Sequence, residues 1–330
     1  MKNLIVLSGG GFKASYQAGV LKQLQDNCVY PHCVMGTSGG ALNGALASSV
    51  RINDMEHIWA DIAERGASSI FESELLDLNR MRLDFKKLLK AITPFIGLGL
   101  LTKKGRESFT ITLKAKIESI EYLATAEGLK ALLRANINIK DVKMPFFFNF
   151  NDLISGEEVI TSEKDYIDNE EFINGIVASA SIPLILKPQK VFTRNAVYSS
   201  CVDGGISSNV LISKAIKYIK SCPDAEYWRI IVVDCNSPKL ERISKFNGVV
   251  SIFERTVLGI MLNTLSKKEV NSITIINELA SSTNSYLHIP FYYIAPELND
   301  LGGTMEISKL LNSHRFERGI QDANKFLKLV

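Results

Sequence analysis

The sequence predicts an α/β fold, a mostly parallel sheet with helices on its faces. Two observations carry this expectation. The continuous apolar run Leu4-Ile5-Val6-Leu7 ends in glycines, as a strand buried on both faces does. Beyond it, helical and strand patterns alternate, the signature of βαβ units.

In chain order, Leu4 to Leu7 is the first strand, and Ser15 to Gln25 a helix with Val20, Leu21 and Leu24 on one face. Cys28 to Met35 is the second strand, with Pro31 near its start. Gly40 to Val50 is a helix of mainly small residues, suited to close packing under the preceding turn. From Ile52 to about Lys140 the chain is charged and helical in character, which reads as an insertion. Met144 to Phe150 and Glu157 to Thr161 are two strands joined by a polar connection; Glu171 to Ser181 is a helix stopped by Pro183. Ala196 to Val202, Tyr227 to Val233 and Tyr286 to Ile294 are further strands, and Phe316 to Leu329 closes the chain as an amphipathic helix. With no linker, repeat or low-complexity tract, residues 1–330 read as one domain with an insertion at about 52–140. Residues 237–330 carry no motif.

Composition narrows the function. A formal charge of +3, without a long basic helix or an aromatic RNA-binding motif, argues against nucleic acid. Five cysteines, an odd number without metal-ligand spacing, read as reduced, buried thiols of a cytoplasmic protein. The apolar run at the start is too short for a secretory leader, and no stretch reaches the roughly 20 residues of a membrane span.

Three glycine turns carry the chemistry. Gly36-Thr37-Ser38-Gly39-Gly40 fits G-x-S-x-G, in which small neighbours let a serine ride a sharp strand-to-helix turn with its hydroxyl exposed. Ser38 at the helix N-terminus meets a dipole and free N–H groups that favour negative charge. Gly9-Gly10-Gly11-Phe12-Lys13 follows the first strand and offers backbone N–H groups to an oxyanion. Lys13 reads either as an added positive charge or as a solvated side chain, the second being favoured. Asp203-Gly204-Gly205 presents a carboxylate on a third turn. None of His32, His57, His288 and His314 sits in a recognisable motif, so Asp203 is the candidate base, its proton affinity raised by an apolar pocket.

Two alternatives use the same residues. Gly9-x-Gly11-x-x-Ala14 also matches a dinucleotide-binding fingerprint, which would make the chain an oxidoreductase. That motif expects an acid at the end of the second strand, where this chain has Gly36-Thr37-Ser38; Asp26 comes too early. An α/β-hydrolase order Ser38, Asp203, then His288 or His314 is available, but only one strand comes before that ending in the serine turn. A catalytically silent interaction module is the third reading.

Taken together, the motifs resemble the patatin-like phospholipases, serine acyl hydrolases with a Ser–Asp dyad. Gly9 to Ala14 is similar to the family's oxyanion motif, Gly36 to Gly40 to its nucleophile elbow, and Asp203-Gly204-Gly205 with Asn209 to its aspartate element. Ala178 to Pro183, with Pro188, resembles the segment before that aspartate. The similarity runs over about residues 4 to 236. Lys13 and Ala14 stand where arginine and glycine are common, and Val210-Leu211 replaces a frequent X-Pro. The resemblance implies a three-layer α/β/α fold, Ser38 and Asp203 as catalytic residues, the Gly9–Lys13 loop as oxyanion hole, a lipid substrate, and no cofactor or metal. Eight Lys/Arg against Asp84 between Asn79 and Arg106 flank the apolar stretch Ile92 to Leu101, a combination suited to an anionic membrane surface.

Overall fold

The computed structural model describes residues 1–78, 82–83, 121–240, 242–246, 249–283 and 287–329. The basic segment 79–106 lies outside these residues apart from positions 82–83, as does much of the expected insertion.

Eight strands form one sheet: β1 (Lys2–Leu7), β2 (Pro31–Gly36), β3 (Phe146–Asp152), β4 (Glu157–Ser162), β5 (Gln189–Phe192), β6 (Val197–Asp203), β7 (Trp228–Val233) and β8 (Phe291–Ile294). The order is β8-β7-β1-β2-β3-β6-β5, with β4 paired to β3. The pairs from β8 through β3 are parallel, and β3–β4, β3–β6 and β6–β5 are antiparallel. The mostly parallel character predicted from the sequence is therefore present, with an antiparallel flank.

Side chains alternate across the sheet into two separate cores. Ile5, Leu7, Val34, Ile231 and Val233 face one way; Leu4, Val6, Met35, Ile230 and Val232 face the other. Both faces are covered, which is why Leu4–Leu7, Cys33–Met35 and Ile230–Val233 are apolar without alternation. The first face carries α1 (Ser15–Asp26), α2 (Gly39–Ser48), α3 (Met55–Arg65), α4 (Glu127–Asn136) and α5 (Asn169–Ser179). The second carries α6 (Ile212–Ser221) and the middle of α7 (Leu262–Thr283); α8 (Lys309–Leu327) returns to the first. Three layers result.

Several boundaries differ from the expected ones for physical reasons. Of the strand expected over Tyr286 to Ile294, the described residues from 287 show strand only at Phe291–Ile294, since Pro290 has no N–H to give a ladder. The last helix begins earlier, at Lys309, where the Ser308 side chain caps it by accepting from the Leu311 N–H. Helix α8 lies close against α1: a Cβ on Gly319 would strike the Tyr16 carbonyl, and one on Gly19 the Phe316 carbonyl. The Tyr16 hydroxyl donates to Asp322 across the same contact, at 3.1 Å. This packing brings the C-terminal helix beneath the first glycine turn.

The sheet also sets the distance between the second and third turns. Strand β4 pairs along β3 from Phe147 to Asp152, so β2 and β6 must share the opposite edge. Strand β2 ends opposite Phe148 and β6 ends opposite Phe150, running in from the other direction. Two residues of strand, about 7 Å, separate the two ends.

Candidate active site

Strand β2 delivers Gly36 into the turn that starts α2. Ser38 sits at its apex with φ 55° and ψ −124°, a conformation costly for any residue with a Cβ. The turn is tight because a Cβ on Gly40 would come within 2.5 Å of the Leu7 and Ser8 carbonyls. The Ser38 N–H donates to Ser179 Oγ at 2.9 Å, and the Thr37 N–H to the Leu7 carbonyl at 3.1 Å.

Asp203 ends β6, its N–H bound to the Ser181 carbonyl at 2.8 Å. Ser38 Oγ donates to Asp203 Oδ2 at 2.6 Å, with no imidazole between them. The Gly205 N–H donates to Oδ1 at 2.8 Å. Both side chains are buried, at 5% and 7% exposure. Burial pushes the Asp203 carboxyl up to about 6, against the opposing pull of the Ser38 and Gly205 hydrogen bonds.

Asn149, which the sequence reading passed over, occupies the junction on β3 between these strand ends. Its Oδ1 accepts from Thr37 Oγ1 at 2.8 Å, and its Nδ2 donates to the Gly204 and Ser208 carbonyls at 3.1 Å each. Nδ2 also donates to Glu158 at 2.7 Å. One buried amide thus ties the residue before Ser38 to the residue after Asp203. A polar residue inside Phe146-Phe147-Phe148-Asn149-Phe150 was the available signal. Asn149→Leu leaves several buried groups without partners, each costing about 1–3 kcal/mol. Thermal unfolding should show a drop well beyond that of a surface substitution, and ester turnover should fall with it; an unchanged melting temperature would remove Asn149 from this role.

The glycine loop resolves into bound and free donors. The Gly9 N–H is taken by the Asn209 carbonyl (3.1 Å), Phe12 by Thr304 (2.9 Å) and Lys13 by Gly10 (3.1 Å). Among the described residues no partner is recorded for the Gly10 or Gly11 N–H, the two donors of this loop left available. Gly11 has φ 55°, and a Cβ there would come 2.6 Å from the Thr304 carbonyl. The solvated reading of Lys13 is corrected: its side chain is buried, and burial lowers its proton affinity. Gly39 is needed for contact, since a Cβ would meet Gly11 O at 2.7 Å, and Gly204 packs on Asn149.

Two cavities share Gly11, Ser38 and Ile182. One, about 50 Å³, runs between apolar side chains including Leu42, Trp59, Phe71, Leu129 and Leu133. The other is roofed by Val257, Leu258, Met261 and Leu262, from a π-helical turn (Glu254–Met261) and the start of α7. No histidine lines either cavity. No motif in residues 237–330 pointed to this roof.

A buried serine–carboxylate pair thus lies beside N–H groups without a recorded partner among the described residues, and the serine lines an almost wholly apolar cavity. A family model for patatin-like phospholipase matches residues 5–216, and the chain belongs to that family. A patatin-like phospholipase domain-containing protein from Coccidioides immitis (strain RS) is 48% identical over 48 residues, 14% of this chain and 7% of that protein. Among solved structures, VipD from Legionella pneumophila is similar with a TM-score of 0.43 and 15% identity, covering 99% of this chain and 66% of VipD. ExoU from Pseudomonas aeruginosa, solved in complex with SpcU, has a TM-score of 0.32 and 14% identity, covering 82% of this chain and 52% of the matched chain. The chain thus spans less than two thirds of each of these proteins.

Proposed function

We propose that this chain is a lipid acyl hydrolase of the phospholipase A or lysophospholipase type, with Ser38 as nucleophile and Asp203 as its base. The single observation that carries this reading is the 2.6 Å contact between Ser38 Oγ, which lines the apolar cavity, and the buried Asp203 carboxylate. Asp203 takes the hydroxyl proton as Oγ bonds to the ester carbonyl carbon. The Gly10 and Gly11 N–H groups hold the resulting oxyanion; each such donor contributes about 2.7–4 kcal/mol in enzymes of this kind. The proton passes to the departing alkoxide, which leaves as the alcohol. Water then attacks the acyl-enzyme with Asp203 again accepting a proton, releasing the fatty acid and restoring Ser38. The cavity through Leu42, Trp59 and Leu133 receives the acyl chain.

A fluorophosphonate probe should label wild-type protein at Ser38, and a panel of defined lipids should be cleaved at acyl esters. Absence of both, in folded protein, overturns the reading and returns the glycine loop to the dinucleotide alternative. Bound dinucleotide would then raise the melting temperature. We also propose an anionic membrane surface as the place where substrate is met. No described helix is long and apolar enough to cross a membrane.

The pH dependence follows from Asp203. The base must be ionised, and burial sets its proton affinity at about 6. kcat/KM should therefore rise with pH through a midpoint near 6 and flatten above about 7, losing close to tenfold per pH unit below 5. A flat profile between pH 5 and 7 would exclude Asp203 as the titrating base.

A further inference from the structure

The loop carrying Gly10 and Gly11 is braced from the C-terminal part of the chain, beyond the residues of the family match. Arg315 on α8 is completely buried. Its recorded partners are all backbone carbonyls: Nε donates to Leu301 at 2.7 Å, Nη1 to Phe12 at 3.1 Å and Glu306 at 3.0 Å, and Nη2 to Gly303 at 3.0 Å. No carboxylate forms an ion pair with it among the described residues. A buried cation solvated only by neutral carbonyls is costly, and its persistence calls for a reason.

The partners give one. Phe12 is gripped on both sides of its peptide: its carbonyl accepts from Arg315, while its N–H donates to the Thr304 carbonyl, inside the very segment Leu301–Glu306 that Arg315 gathers. Thr304 is also the residue against which Gly11 packs, in its left-handed conformation. The next N–H groups toward the N-terminus are those of Gly11 and Gly10. A planar fork holds four carbonyls of two chain segments in one fixed geometry, which the three donors of a flexible ammonium group match only in part.

Resting on the hydrolase reading, we infer that Arg315 is a positioning residue for the oxyanion loop. Its guanidinium locks Phe12 to the 301–306 segment, so that the Gly10 and Gly11 N–H groups are aimed before substrate arrives.

Three measurements test this. In Arg315→Met and Arg315→Lys, kcat per titrated active site should fall about 100-fold and less severely for lysine, with KM for a short ester within about threefold of wild type. The Ki of a trifluoromethyl ketone, which forms a tetrahedral oxyanion on serine, should rise by the same factor as kcat falls. A merely structural arginine would reduce only the fraction of sites that titrate; unchanged kcat per site and unchanged Ki in either variant would overturn the proposal. Should both variants fail to fold, amide exchange in the wild-type protein decides. The Phe12 N–H should be protected comparably to β1, and exchange at the rate of an exposed loop would overturn the clamp. That exchange is independent of ester turnover, so a failure of the hydrolase reading, seen as no labelling of Ser38, is separately visible.

Discussion

Asp203→Asn is expected to abolish ester turnover and, at neutral pH, to leave the protein more stable than wild type. The asparagine carbonyl still accepts from the Gly205 N–H, and its amide faces Ser38 Oγ, so both hydrogen bonds of the carboxylate have replacements. The buried charge is gone. Raising the carboxyl from its ordinary 3.8 to about 6 corresponds to about 3 kcal/mol against the ionised form. The sign follows from proton uptake: between these values the folded protein binds the proton more tightly than the unfolded chain. Wild-type stability on this account therefore falls as pH rises from about 4 to 6, then stays low. The variant should exceed wild type by a few degrees in melting temperature at pH 8, and the gap should close toward pH 4. A difference between variant and wild type that is the same at pH 8 as at pH 4 would contradict a destabilising carboxylate. Function at the cost of stability is a common arrangement for a buried base.

Ser38→Ala should lower kcat by about 10⁴- to 10⁶-fold, as removal of a nucleophile does in serine hydrolases generally. A companion variant, Ser38→Gly, separates chemistry from backbone. Both lack the hydroxyl and should be equally inactive. They differ in the cost of φ 55°, which glycine adopts freely and alanine does not. Ser38→Gly should be more stable than Ser38→Ala by about 1 kcal/mol, after allowing for glycine's greater freedom in the unfolded chain. Equal melting temperatures would mean that the elbow stores no strain. Residual turnover above a few per cent in either variant would remove Ser38 from the nucleophile's place.

The parts of the fold and site that were legible in the sequence are those enforced by local sterics. Gly36, Gly39 and Gly40 were readable because a tight turn rejects any side chain there, and the serine between them inherits the position. Asp203-Gly204-Gly205 was readable for the same reason. Strand segments buried on both faces, such as Leu4 to Leu7 and Ile230 to Val233, show as unbroken apolar runs. Interactions between distant segments left weaker traces. Strand Gln189–Phe192 spans only four residues at a sheet edge, too short for a period to show. Helix α6 does carry apolar residues at Ile212, Ala215, Ile216 and Ile219, a helical spacing that the reading above did not use. Arg315 and Lys13 look like solvated charges until tertiary packing buries them. Which loop N–H groups are free depends on Asn209 and Thr304, 200 and 292 residues beyond Gly9 and Phe12, and no local pattern reports that.

On the proposed mechanism, the head-on meeting of β2 and β6 along one edge of β3 ties catalytic competence to the integrity of the sheet. Neither loop alone sets the gap between hydroxyl and carboxylate; the ladder does. Local fraying at the periphery should spare the chemistry, whereas any event that parts either ladder from β3 erases it at once. On gradual heating, the midpoint for irreversible inactivation should coincide with that for loss of the far-ultraviolet strand signal, with no warm interval in which an ordered sheet carries a dead enzyme.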